Sequence, residues 1–268
     1  NHRAKTTNRR KNPKRLLPRN WAVVRGLTQY VTAIGKTREL PPTSKLFYFK
    51  KVISMNFLSE YEQLLRPGIF LGLLIILAGA EFLFPLAKRK CSRPLQWFTN
   101  LSIVVLDSIA LKLLFPLLAV GIAQYATNNH IGLFNLIDLN YYVVVILSLL
   151  LLDLLIYAQH VLMHKVPLLW RLHRMHHTEI GLDVTSAVRF HPIEIILSML
   201  IKMLFVLILG IPVGAVILFE ILLNGLALFN HSNLKLPATL EKFLRLFIIT
   251  PEIHWVHHSQ IVCETNSN

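Results

Sequence analysis

YYVVVILSLLLLDLLIYAQHVLMH, residues 141–164, decides the fold. Tyr141 to Gln159 is long and apolar enough to cross a bilayer, which takes about 20 such residues in a helix. The run leads directly into His160-Val161-Leu162-Met163-His164. Two further boxes follow, His173-Arg174-Met175-His176-His177 and His254-Trp255-Val256-His257-His258, so eight of the 12 histidines lie in three clusters. A random chain of this composition would contain about 0.02 HxxHH matches, so two of them beside an HxxxH are not accidental. On a helix, positions i, i+3 and i+4 share one face, and each box can point two or three imidazoles at a common point. Imidazole binds Fe, Zn, Cu or Ni while staying neutral. Eight ligands exceed the needs of one ion, so the count implies two metals.

Hydrophobic residues make up 54% of the chain and charged residues 16%, with mean hydropathy +0.52. That is the composition of a membrane protein. The net charge of +14 resembles a nucleic-acid signal until it is located. Residues 1–54 hold 14 Lys and Arg against one acid, Glu39, whereas the other 214 residues hold 14 against 13. The basic character belongs to the leader, and no nucleic-acid partner is expected. The leader has no apolar core or small-residue cleavage site of a secretory signal, and Met55-Asn56-Phe57-Leu58 reads like a natural start. Residues 1–54 are therefore expected to be a disordered or non-native leader, and 55–268 the membrane-embedded domain. Cys91 and Cys263 form no CxxC and indicate no disulfide framework or zinc knuckle.

Further spans are expected at Gly68–Ala87 and Leu95–Ala123, before the one at Tyr141–Gln159. The stretch Ile193–Phe229, broken by Gly210, Pro212 and Gly214, reads as a hairpin of two short spans or a re-entrant pair. The expected fold is all-α, a multi-pass transmembrane bundle. Lys88, Arg89, Lys90 and Arg93 place the first loop in the cytoplasm, and the Lys/Arg-free loop 124–140 lies outside. All three boxes then return to the cytoplasmic face, where a di-metal site at the helix ends is expected. Of the GxxxG patterns, Gly68–Gly72 could pack helices and Gly210–Gly214 marks the hairpin turn. His191 and His231 could reach the same side, as ligands or as capping and hydrogen-bonded residues. Asp153, two turns before His160, could hold a ligand imidazole by its second nitrogen, and Glu179, Asp183 and Glu194 are further candidates for that role.

Leu169–His177, Asp183–Glu194, Phe229–Leu234 and His257-His258-Ser259 with Glu264–Asn268 resemble the bacterial branch of the fatty acid hydroxylase/sterol desaturase superfamily of membrane di-iron enzymes. The resemblance covers roughly residues 60–268 and implies that His160, His164, His173, His176, His177, His254, His257 and His258 are metal ligands, joined by His191 and His231. It implies two Fe ions, with Zn able to replace them on purification, and O₂ as co-substrate. The expected reaction is hydroxylation or desaturation of a C–H bond in a membrane lipid such as a sterol or fatty acyl chain. No catalytic residue is expected beyond the metal ligands. Electrons would come from a separate donor, cytochrome b5-like or ferredoxin-like, since the chain carries no haem-attachment, iron–sulfur or GxGxxG motif. The expected location is a bacterial inner membrane, or the endoplasmic reticulum in a eukaryote. Relatives continue beyond the Glu264–Asn268 stretch, so truncation at the C-terminus is expected. The rival readings are a zinc or heavy-metal transporter and a zinc-dependent membrane hydrolase.

Overall fold

Proline sets the ends of the helices that carry the histidines. Helix α5 (Tyr141–Lys165) contains both the third span and the first box. Pro167 cannot donate a backbone hydrogen bond, and it drives the preceding residue into extended backbone. Val166 accordingly takes φ −92° and ψ 116°, ending α5 and opening α6 (Pro167–His177), the helix of the second box. The same proline-led start recurs at α7 (Pro192–Leu209) and α10 (Pro251–His257), the helix of the third box.

This computed structural model describes the backbone of residues 42–265 and the side chains of 61–261 and 263–265. The leader expected over 1–54 lies outside the described residues as far as residue 41. The chain divides into units Asn1–Asn56 and Phe57–Asn268, and the second holds all three histidine boxes. Besides the helices above it contains α1 (Pro42–Leu83, from Phe57 on), α2 (Arg93–Leu114), α3 (Ala119–Asn128), α4 (Leu133–Leu136), α8 (Val213–His231), α9 (Ala238–Leu244) and α11 (Val262–Thr265). A 3₁₀ turn spans Val184–Val188. No strand occurs among the described residues, only an isolated bridge between Pro85 and Leu234.

Among the described residues, five segments are long and apolar enough to cross a membrane: Tyr61–Leu83, Arg93–Leu136, Tyr141–Lys165, Pro192–Leu209 and Val213–His231. Both arms of the hairpin, Pro192–Leu209 and Val213–His231, are among them. The second span is interrupted at Phe115–Leu118, around Pro116, before α3 resumes. The last span is the central one, 39% buried against 6–17% for the others. Helix α8 packs on α3, α5, α10 and the 3₁₀ turn. Around it gather Ala119, Ala123, Leu152, Val206 and Ile217, all fully buried. Outward-facing Ile146, Leu150 and Leu154 on α5 are exposed, as a lipid-facing surface requires.

Two glycines make the turn opposite the histidine end. Gly210 ends α7 in the left-handed region, φ 66°, as a helix C-cap glycine does. Gly132, φ 95°, approaches so closely that a Cβ on it would lie 2.2 Å from the Gly210 nitrogen. The other motif fares differently: nothing lies within 4 Å of where a Cβ would sit on Gly68 or Gly72, so neither is pressed against a neighbouring helix.

The charges that α1 carries just before Gly68 are paired. Arg66 makes a close ion pair with Glu220 and a looser one, 3.6 Å, with Glu62. Lys202 Nζ lies 2.8 Å from the other Glu220 oxygen. The trio ties α1, α7 and α8 together within their apolar lengths. Removing one member of a buried pair strands the other at a cost of about 3–5 kcal/mol. Glu220→Leu should therefore lower thermal stability in detergent markedly, and the Lys202→Met/Glu220→Leu double variant should recover much of the loss. Equal melting of the single and double variants would show that Lys202 does not depend on Glu220.

Candidate metal centre

Helical phase divides the boxes in a way that spacing alone left open. Residues at i and i+4 differ by about 40° around the axis, whereas i+3 lies about 60° to the other side. In the second box His173 and His177 go one way and His176 the other. In the third, His254 and His258 go one way and His257 the other. The result is two groups of imidazoles and not one shared focus per box.

The first group is His176, His231, His254 and His258, with ligand atoms all within 4.8 Å of one another. Its Nε2 atoms make a chain: His176 to His231 at 2.9 Å, His231 to His254 at 2.9 Å, His254 to His258 at 3.2 Å. The second comprises His160, His164 and His173 together with His177 and His257, His164 being common to both sets. His160 Nε2 lies 3.0 Å from His257 Nε2. The groups adjoin, since the rings of His177 and His258 stack at 4.2 Å and 16°.

These residues fit two transition-metal ions. At a metal–nitrogen distance near 2.0–2.1 Å, adjacent ligand nitrogens stand roughly 2.9 Å apart in an octahedron and roughly 3.3 Å in a tetrahedron. The separations above, 2.9–3.2 Å, fall in that interval. An all-imidazole donor set suits Fe, Zn, Cu or Ni and not Mg or Ca. Burial, reinforced by the neighbouring imidazoles, pushes His176, His177, His254 and His258 well below the usual histidine range, and His257 down to about 3. The rings stay neutral at physiological pH, as ligands must.

The far side of the ring fixes which nitrogen is offered. His173 Nδ1 lies 2.7 Å from Glu194 Oε1, His231 Nδ1 donates to the Ala227 carbonyl at 2.7 Å, and His176 Nδ1 donates to the Arg189 carbonyl at 3.1 Å. Phe190 stacks on His176 at 4.3 Å and 9°. Arg189 is held in turn: its Nε donates to the Met175 carbonyl and its Nη1 to Asn100 Oδ1. Asn100 Nδ2 reaches Glu179 and Thr185. Gln96, Asn100 and Asp107 are the buried residues of α2, at spacings of four and seven. A polar stripe in an apolar span is the sequence signal that could have revealed this support.

The carboxylates divide by what they touch. Glu194 reaches a ligand. Glu179 acts one step removed, through Asn100. Asp183 accepts from Arg89, Trp97 and Thr185 and caps the 3₁₀ turn, touching no histidine. Asp153 is exposed on α5; seven residues of helix set it about 10 Å from His160 along the axis, too far to orient that ring. Glu81, unanticipated, is 1% exposed and accepts from the Val184 and Asn233 backbones at 2.7 and 2.6 Å. It thereby joins the end of α1 to the turns flanking the centre.

Of the ten expected ligands, nine converge. His191 stands apart from both groups, with its Nδ1 accepting from Ile193 N at 3.1 Å as the N-cap of α7. Ring position thus separates two histidines that sequence treated alike. His231→Ala should lower bound metal from two ions per chain toward one. His191→Ala should cost about 1 kcal/mol of stability, as a lost N-cap does, and keep both ions. Metal analysis of the purified variants checks this; equal metal in His231→Ala and the parent would remove His231 from the centre.

Residues 145–266 match the family model for fatty acid hydroxylase. The ornithine lipid hydroxylase OlsE of Rhizobium tropici is 26% identical over 219 residues, 79% of this chain. The chain spans 65% of that relative's length. No solved structure matches. The matched region holds all nine converging histidines.

Proposed function

We propose that the chain is an O₂-dependent di-iron hydroxylase of a membrane lipid. One observation carries this reading: two adjoining groups of neutral imidazoles lie at the end of a membrane bundle, inside a fatty acid hydroxylase domain. The name of the Rhizobium tropici relative, a lipid hydroxylase, supports the substrate class.

The balanced reaction is C–H + O₂ + 2 e⁻ + 2 H⁺ → C–OH + H₂O. Iron held by these histidines would supply the activation of O₂. The protein's own part is placement. His176, His231, His254 and His258 would hold one ion, and His160, His164, His173, His177 and His257 the other. Glu194 and the carbonyls of Arg189 and Ala227 fix ring orientation from behind. The polar lattice of Asn100, Arg189 and Glu179 keeps the second box from rotating. Electrons must come from a separate donor, cytochrome b5-like or ferredoxin-like. Lys88, Arg89, Lys90, Arg93, Lys165, Arg171 and Arg174 near the histidine end support a cytoplasmic placement of that end, in the inner membrane of a bacterium. Transporter sites lie near the bilayer midplane on interrupted helices; these ligands lie at and beyond helix ends.

The test is reconstitution of the full chain with Fe(II), a reductant and bacterial lipid extract under ¹⁸O₂. One ¹⁸O atom should enter a lipid product, and His176→Ala should abolish it while leaving membrane insertion intact. Cleavage of a lipid ester or amide bond without O₂, with oxygen drawn from water, would instead make the chain a hydrolase.

A further inference from the structure

An open cavity of about 410 Å³ meets the second histidine group from outside the bundle. His164 and His177 form its inner wall, and Trp170, Arg174, Ser259 and Gln260 are among its other lining residues. Trp170, Arg174 and His177 lie at i, i+4 and i+7 of one helix face on α6, so the sequence of that helix sets metal ligand, cation and aromatic side by side.

The cavity is built for negative charge. Among the described residues no carboxylate lines it. Arg174 is exposed and makes no ion pair or hydrogen bond among the described residues. Helix α6 bears a second cation, Arg171, and no acid. The Ser259 hydroxyl accepts from Ile261 N, which leaves its hydrogen free to donate outward, and Gln260 adds an amide. Guanidinium pairs with carboxylate or phosphate oxygens through two parallel hydrogen bonds. The volume sits near the lower end of ligand pockets, about 300–1,000 Å³. That accommodates a head group and the carbons next to it, not a whole diacyl lipid.

We infer that this cavity binds the anionic head of the lipid substrate, phosphate or carboxylate, with Arg174 as the specificity-determining residue and Trp170 against the adjoining carbons. The inference rests on the lipid-hydroxylase reading above and adds the chemical class of the head to it.

Trp170 supplies the probe. The purified, metal-loaded full chain is titrated by tryptophan fluorescence with dihexanoyl phosphatidate, with dihexanoylglycerol and with inorganic phosphate, using Trp170→Phe to identify the signal. Phosphatidate should saturate at least tenfold more tightly than either of the others. Arg174→Gln should weaken it at least tenfold, and Arg174→Lys should recover part of that loss, both with parental metal content. Phosphatidate binding unchanged in Arg174→Gln, or matched by dihexanoylglycerol, would overturn the assignment. Inorganic phosphate binding as tightly as phosphatidate would identify a free-anion site and overturn the lipid head. If Arg174→Gln does not fold, the three ligands on the unaltered chain decide the matter. Hydroxylation is measured separately on the unaltered chain. Turnover without head-group selectivity defeats this inference alone, whereas selectivity without turnover of any lipid defeats the proposed function.

Discussion

Imidazole nitrogens brought within about 3 Å of one another, with the rings of His173, His176 and His231 already engaged through Nδ1, can present lone pairs to a common space, an arrangement that a metal cation would make favourable. Nine side chains carried by four helices, α5, α6, α8 and α10, meet under this constraint at the point where the apolar spans end. Four-point or five-point convergence tolerates little rotation of any contributing helix, since metal ligation fixes distances to about 0.2 Å. The prolines that stop and restart the chain at 166–167, 191–192 and 250–251, together with the polar lattice around Asn100, Asp183 and Glu81, are the local means of meeting it.

The bilayer end of a bundle is a physically sensible place for such a centre. Mid-span, every polar group must be satisfied by protein, and the chain meets that demand with the Arg66, Lys202 and Glu220 trio. At the histidine end the backbone can leave helix geometry, as it does at the 3₁₀ turn and between Phe84 and Lys90, because hydrogen bonds such as Leu86 N to Asn233 O and Ala87 N to Asn233 Oδ1 satisfy it. The cavity at His164 and His177 opens at this same end, so a lipid could present its polar head without drawing charge into the apolar interior.

Much of this was legible from residue order. Tyr141–Gln159 running into His160 and His164 marked an apolar helix that ends in clustered imidazoles, and the two HxxHH boxes marked side chains that join that cluster. What residue order could not specify was the division between the groups, because i, i+3 and i+4 share a face loosely and only the orientation of α6 against α10 decides where i+3 points. His191 and His231 looked alike, each single and each beside a span. One lies at a helix start and the other at the end of a helix that packs on α10, and packing alone distinguished them. Asp153 had the right phase for His160 but the wrong height. Nor could residue order show that Arg66 meets Glu220 across the bundle.

The proposed chemistry requires two metal ions side by side, one in each imidazole group. Anomalous diffraction from crystals of the iron-loaded full chain, recorded on either side of the iron absorption edge, tests it most directly. Two peaks are expected, one bounded by His176, His231, His254 and His258 and the other by His160, His164, His173, His177 and His257. A single peak, or two peaks that share the histidines in another way, would contradict it.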